Sequence, residues 1–220
     1  MTEINRDIEH IESHLRQWFS EQAFIKAARI QNYLILPEEQ ALVANAVSSR
    51  QCEFATGRWL ARQGLQQFGL PDQPITIGEL RNPQWPEAIM GTISHDGDLC
   101  AVALMQKQQH SETGIGIDLI SLSQREGRLD ELVPMFTTSH DELNAVTALN
   151  LPIAPAILLF SIKESVVKAL SAHLGDFIDM RSIEIYFSNN LQVRLLERSV
   201  KAEIYASKSE HYVLTAVKVY

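Results

Sequence analysis

Apolar residues in this chain are gathered into short runs that switch between two periods, and that switching restricts the fold more than any other feature. LCAVALM at 99–105 and GIGIDLI at 114–120 are almost uninterrupted apolar stretches of strand length. The polar connector QKQQHSE between them makes the pair read as a buried hairpin. Alternation returns in the tail, where Ile183, Ile185 and Phe187 precede the turn-forming Asn189-Asn190 and Leu191, Val193 and Leu195 follow it. The closing HYVLTAVKVY supplies one more strand. Between these runs the period lengthens. Residues 38–68 lack proline and space Leu42, Ala46, Phe54 and Leu65 among polar residues, which predicts a helix broken near Ser48-Ser49 and closed by Phe68-Gly69 and Pro71. Residues 129–149 read as helix interrupted around Pro134 and from Thr137 to Ser139. Residues 156–173 form a longer helix with Phe160, Val167 and Leu170 near one stripe. Proline and glycine make 71–91 a loop with short extended pieces. Helices accompanied by small antiparallel sets of strands define an α+β chain and not a Rossmann-like order.

With 220 residues the chain can bury a real core as one large domain or two small ones. Its net charge of −8 and pI near 5.4 argue against nucleic acid as a partner, since phosphate backbones are met by surplus Lys and Arg. Cys52 and Cys100 lack metal-ligand spacing and read as buried small hydrophobes. The start MTEINRDIEHIESHL is polar and acidic, unlike a signal peptide. LPIAPAILLF at 151–160 is shorter than the roughly 20 residues of a membrane span. A cytoplasmic protein without a membrane span is the expectation.

Three segments carry candidate chemistry. Ser94-His95 reads as a turn before a strand that can offer a hydroxyl, an imidazole and backbone N–H groups to a phosphate, or simply as a turn. Asp118 is a single acid inside an apolar strand, where desolvation is costly unless a metal or cation compensates; otherwise it ends the strand and caps the next turn. Glu164 and Lys168 are i,i+4 partners on the 156–173 helix, together with Lys163, and form either a solvated pair or the wall of a polar cleft. Arg50, Arg58 and Arg62 read by themselves as a solvated helix face.

In this order and spacing, ISH at 93–95, GIGID at 114–118 and FSIKESVVKAL at 160–170 resemble the signature of the 4′-phosphopantetheinyl transferases of the large, pseudo-dimeric class. RQCEFATGRWLAR at 50–62 and PQWP at 83–86 are similar to the branch that serves siderophore synthetases of the enterobactin type. The resemblance implies two similar α+β halves about a pseudo-twofold with coenzyme A between them. It implies an N-terminal half at 1–118 with the nucleotide contacts and a C-terminal half at 119–220 with the Lys-Glu helix. Paired halves within one chain favour a monomer.

By the same resemblance the activity is Mg²⁺-dependent transfer of the phosphopantetheine arm of coenzyme A to a serine of an apo peptidyl or aryl carrier protein. Asp118 and Glu164 would ligate Mg²⁺; Glu164, or a metal-held water, would take the serine proton. Lys163 and Lys168 would face phosphates or the carrier. Ser94 and His95 would meet the nucleotide phosphates, and Arg58 and Arg62 the 3′-phosphate end. Asp118, Glu164 and Lys168 are thus the implied catalytic set. One departure stands out: many members carry an acid two residues after the metal aspartate, where this chain has Ile120. That implies a water in the metal shell and weaker Mg²⁺ binding, and leaves a catalytically silent coenzyme A-binding protein as the competing reading.

Overall fold

The computed structural model of the chain describes residues 2–107, 112–125, 127–174 and 176–220, so 108–111 of the polar connector lie outside it. The chain separates into two compact units, Met1–His110 and Ser111–Tyr220. The expected division at 118/119 falls inside a strand that belongs wholly to the second unit.

The first unit runs α1 (Glu3–Phe19), β1 (Phe24–Arg29), α2 (Pro37–Val43), α3 (Ser48–Gln67), β2 (Ile89–Asp96) and β3 (Leu99–Gln106). Its sheet is antiparallel in the order β1-β3-β2. A two-residue loop, Gly97-Asp98, joins β2 to β3, with Gly97 at a positive φ of 57° that glycine adopts without steric cost. Helix α3 covers this sheet through Leu60, Ala61 and Leu65, which pack with Phe24, Cys100, Val102 and Leu104. The break expected near Ser48-Ser49 is the gap between α2 and α3. The N-terminal segment forms α1 and β1, and α1 buries Ile11, Leu15 and Phe19 at helical spacing.

The second unit runs β4 (Gly114–Ser121), α4 (Leu122–Arg125), α5 (Val133–Phe136), α6 (Asp141–Thr147), α7 (Pro155–Leu174), β5 (Ile183–Phe187), β6 (Leu191–Leu195), β7 (Arg198–Val200), β8 (Ala202–Lys208) and β9 (Tyr212–Val219). Two antiparallel sheets result, β4-β9-β8 and β5-β6-β7. The tail alternation produced β5 and β6 as expected, and α5 and α6 are separated at Thr137–Ser139 as expected. Pro134, however, sits in the first turn of α5, where its missing N–H costs no hydrogen bond, and residues 129–132 are bend and turn.

The hairpin expected between 99–105 and 114–120 does not form. Strand β3 pairs on one edge with β1 and on the other with β2, so it has no edge left for β4. β4 pairs instead with β9 along its whole length, from Gly114↔Val219 to Ser121↔Tyr212. Cys100 is buried as expected, whereas Cys52 is only half-buried; both are free thiols. Among the described residues no helix is long and apolar enough to cross a membrane.

What positions the second unit's polar residues is the approach of α7 to β4. A Cβ on Gly116 would stand 1.9 Å from the Ser165 carbonyl oxygen, and one on Gly114 would stand 2.2 Å from that of Ala169. These obstacles are helix backbone, which cannot rotate aside. The two glycines therefore let the axis of α7 settle onto the strand. Gly116→Ala is expected to lower the denaturant midpoint, with a loss of about 1–3 kcal/mol typical of overpacking, or more because backbone must shift; urea unfolding of purified variant and parent checks this.

Candidate functional site

In the second unit, Asp118 lies mid-strand in β4 opposite Thr215 of β9 and is buried. The strand-ending, turn-capping alternative is thereby ruled out for it. Helix α7 presents Ser161, Glu164, Ser165 and Lys168 at positions i, i+3, i+4 and i+7, which share one face. Lys168 Nζ donates to Asp118 Oδ1 at 2.7 Å and to the Ile117 carbonyl at 3.0 Å. Ser161 Oγ donates to Asp118 Oδ2 at 2.9 Å. The buried acid is thus compensated by one cation and one hydroxyl, as its desolvation requires.

Behind Ser161 lies a buried hydroxyl chain. Ser161 Oγ is 2.9 Å from Thr215 Oγ1, which is 2.7 Å from Ser165 Oγ, and all three residues are fully buried. Each hydroxyl has one proton to give and a carboxylate only accepts. Ser161 gives its proton to Asp118, and Thr215 Oγ1 donates to the Ser161 carbonyl at 2.9 Å, so the hydroxyls and the helix backbone together hold Ser161 in place against the carboxylate.

Glu164 is half-buried and makes no hydrogen bond or ion pair to any described residue. The solvated Glu164–Lys168 pair expected from their spacing is replaced by Lys168 bonding to Asp118. Burial pushes the Glu164 carboxyl above its ordinary value of 4.5, and the negative charge of Asp118 adds to this, while Lys168 and Arg125 oppose it. Arg125, on α4 directly after β4, had no distinguishing signal in the sequence. Asp118 and Glu164 are the oxygen donors here that could hold a hard divalent cation. No grouping of three or more His, Cys, Asp or Glu suited to a metal exists among the described residues. Ile120 is buried in an apolar cluster with Leu129, Ala156, Ile157 and Val213.

The first unit gathers a second set. Ser94 and His95 lie within β2, not in a turn before it, and Ser94 is buried. His95 Nε2 is 2.7 Å from Arg50 Nη1 and its Nδ1 is 3.5 Å from Glu53 Oε2, with Arg50 and Glu53 themselves paired at 3.0 Å on α3. Arg58 is not on a solvated face. It is buried, stacks over the Phe54 ring at 4.3 Å, and donates from Nε to the Ile75 carbonyl at 2.9 Å. Burial pulls it down to about 10, against the attraction of Glu39. Its two terminal nitrogens make no hydrogen bond to any described residue.

Two of the expected ligand-facing cations are instead internal. Arg62 is paired through Nη1 with the buried Glu39 and through Nε with Asp72 at 3.3 Å, and donates from Nη2 to the Leu34 carbonyl. Lys163 has no exposed surface; its Nζ meets Glu142 and the carbonyls of Phe136 and Ile183, each at 2.7 Å. Burial lowers its pKa and Glu142 opposes that shift. Adjacent helix residues point about 100° apart, so Lys163 turns inward where Glu164 turns toward Asp118.

Two family descriptions match the chain in tandem: "4′-phosphopantetheinyl transferase N-terminal domain" over residues 38–105 and "4′-phosphopantetheinyl transferase superfamily" over 114–217. The chain is 32% identical over 169 residues to 4′-phosphopantetheinyl transferase Svp of Streptomyces mobaraensis, covering 76% of this chain and 66% of that protein. To enterobactin synthase component D of Salmonella typhi it is 36% identical over 139 residues, covering 63% of this chain and 55% of that protein. To 4′-phosphopantetheinyl transferase PptT of Mycobacterium tuberculosis it is 43% identical over 60 residues, 27% of this chain and 26% of that protein. These matches span about two thirds or less of each curated relative's length.

The raised Glu164 carboxyl has a measurable consequence. Its ionised form is disfavoured by the fold, so it lowers stability as pH rises above 4.5 and costs nothing below. In EDTA-containing buffer, Glu164→Gln should unfold at higher urea than the parent at pH 7, and the gap should close by pH 4. A gap that is absent at pH 7, or the same at both pH values, would contradict the raised carboxyl.

Proposed function

Because the chain belongs to the 4′-phosphopantetheinyl transferase superfamily, we propose that it transfers the phosphopantetheine arm of coenzyme A to a serine of an apo carrier protein and releases 3′,5′-ADP. Its similarity to enterobactin synthase component D supports carriers of the peptidyl or aryl type in siderophore or other nonribosomal peptide synthesis. The observation that carries the reading is the pairing of Asp118 and Glu164 across β4 and α7, with Lys168 bound to one acid and close enough to act on the other.

The carrier serine Oγ bonds to the β-phosphorus of coenzyme A as the pyrophosphate oxygen leaves with 3′,5′-ADP. Glu164 suits the role of proton acceptor, since its raised carboxyl is a stronger base than an exposed glutamate; such a base contributes about 10² to 10⁴ in rate. Lys168 holds positive charge against Asp118 and the transferring phosphoryl group. Two neighbouring carboxylates in a desolvated setting, one of them without a hydrogen-bond partner among the described residues, fit a hard cation with oxygen preference. Magnesium held by Asp118 and Glu164 would supply polarisation of the β-phosphate and charge neutralisation at the leaving group.

Arg58, a buried cation with open terminal nitrogens and a pKa of about 10, remains charged at neutral pH and suits a phosphate ester of the ligand. Ser94 and His95 fit the nucleotide phosphates in the same reading. These contacts fall to the N-terminal part and the Lys-Glu helix to the C-terminal part, the division of labour that the family resemblance implies. Free Cys52 and Cys100 suit a reducing cytoplasm, and two units within one chain suit a monomer.

Intact mass of an apo peptidyl carrier domain, after incubation with coenzyme A, Mg²⁺ and this protein, tests the reading. We expect a gain of one phosphopantetheine arm that disappears with EDTA, with a serine-to-alanine carrier, and with Asp118→Asn. Undiminished transfer by Asp118→Asn removes Asp118 from the site. Coenzyme A binding without transfer to any of several carriers replaces the reading with a silent binding protein, which the apolar setting of Ile120 would then accompany.

A further inference from the structure

Both units contain a buried glutamate that joins the same four pieces of chain. In the second unit Glu142, on the short helix α6, is fully buried. Its Oε1 meets Lys163 Nζ of α7 at 2.7 Å and accepts from the Ile185 N–H at 2.9 Å, beyond the end of α7. Its Oε2 accepts from the Thr138 N–H at 2.9 Å, ahead of α6. In the first unit Glu39, on the short helix α2, is also fully buried. It pairs with Arg62 of α3, accepts at Oε1 from the Ile75 N–H at 3.0 Å beyond α3, and accepts at Oε2 from the Leu36 N–H at 3.1 Å ahead of α2. In each case the carboxylate ties the loop before the short helix, the short helix, the long helix and the segment after it.

Three cross-links converging on one carboxylate oppose sliding of the long helix and rotation about its axis. We infer that Lys163 is a positioning residue: with Glu142 it forms a latch that sets the rotation of α7 and so holds Glu164 beside Asp118. Glu39 and Arg62 form the equivalent latch on α3, one helical turn from Arg58. Saturation of Lys163 Nζ by Glu142 and by the carbonyls of Phe136, Ile183 and Met180 leaves it no donor for a ligand. This assignment rests on the transferase reading for what Glu164 does, but the latch itself concerns only α6, α7 and their flanks.

The test uses Lys163→Met, Glu142→Gln and the double variant in which the latch is neutral. Coenzyme A affinity is measured by calorimetry in EDTA, and transfer by kcat and KM for coenzyme A. A latch predicts that each single variant loses kcat about 10²-fold, as for a misplaced reacting group, while coenzyme A affinity and KM stay within about twofold of the parent. The double variant should regain part of that kcat, because neither charge is then left buried alone. A tenfold or greater loss of coenzyme A affinity in Lys163→Met, or parental kcat in Glu142→Gln, overturns the inference. If the single variants do not fold, the double variant decides alone: parental coenzyme A affinity with reduced kcat supports the latch, and weakened affinity overturns it. A parent protein that binds coenzyme A but transfers nothing retires the transferase reading separately, and the coenzyme A affinity of the double variant still separates latch from ligand.

Discussion

Helix α7 rests on strand β4 at backbone distance, and the polar chemistry of the second unit depends on that contact. Side chains from a helix and a strand converge on one small site only when the two backbones are close. Gly114 and Gly116 make them so by removing the Cβ atoms that would strike the carbonyls of Ala169 and Ser165. The same strand then delivers Asp118, two residues beyond Gly116, and the helix delivers Ser161, Glu164 and Lys168 from the face that looks at it. The first unit reaches close helix–sheet packing from the other side. There the glycine sits on the helix, and a Cβ on Gly64 would stand 2.5 Å from the Phe24 ring.

Charge is distributed over this frame unevenly. Asp118 is compensated by Lys168 and Ser161, and Ser161 is itself held by Thr215, which Ser165 holds in turn. Among the described residues Glu164 has neither a donor nor a cation in hydrogen-bond contact, and burial raises its carboxyl. Leaving a half-buried acid unsatisfied costs stability, and that cost is the usual mark of a group reserved for a ligand or a proton. Lys163 and Arg62 show the opposite treatment: both are closed off by buried glutamates and backbone carbonyls.

Much of this was legible in sequence, and what was not has particular causes. The 156–173 helix, the broken 38–68 helix and the 183–195 hairpin follow from local periodicity, which is a property of neighbouring residues. Asp118, Glu164 and Lys168 stand out in sequence because acids and lysines in apolar elements need compensation; Lys168 bonds to Asp118, and Glu164 feels both through charge alone. Strand pairing failed where it was non-local. LCAVALM and GIGIDLI are adjacent in sequence, yet the first is completed by β1 and β2, and nothing in its own residues announces that β1 exists. The burial of Lys163 is not legible in sequence, because a lysine's place in a motif does not say which way the helix is turned.

The sequence by itself determined the element types, the α+β class and the short list of polar residues worth explaining, since those depend on period, turn chemistry and the cost of isolated charge. Only the tertiary structure decided the use of each charge. Lys163 and Glu164 are consecutive in sequence, but one helical step of about 100° turns the first into the core and leaves the second beside Asp118. Arg58 and Arg62 share a helical face, yet the close ion pairs of Glu39 and Asp72 are with Arg62, and Arg58 feels Glu39 only at longer range. Which partner a charge meets is fixed by residues far away in the chain that fold against it, and no local pattern encodes that distance.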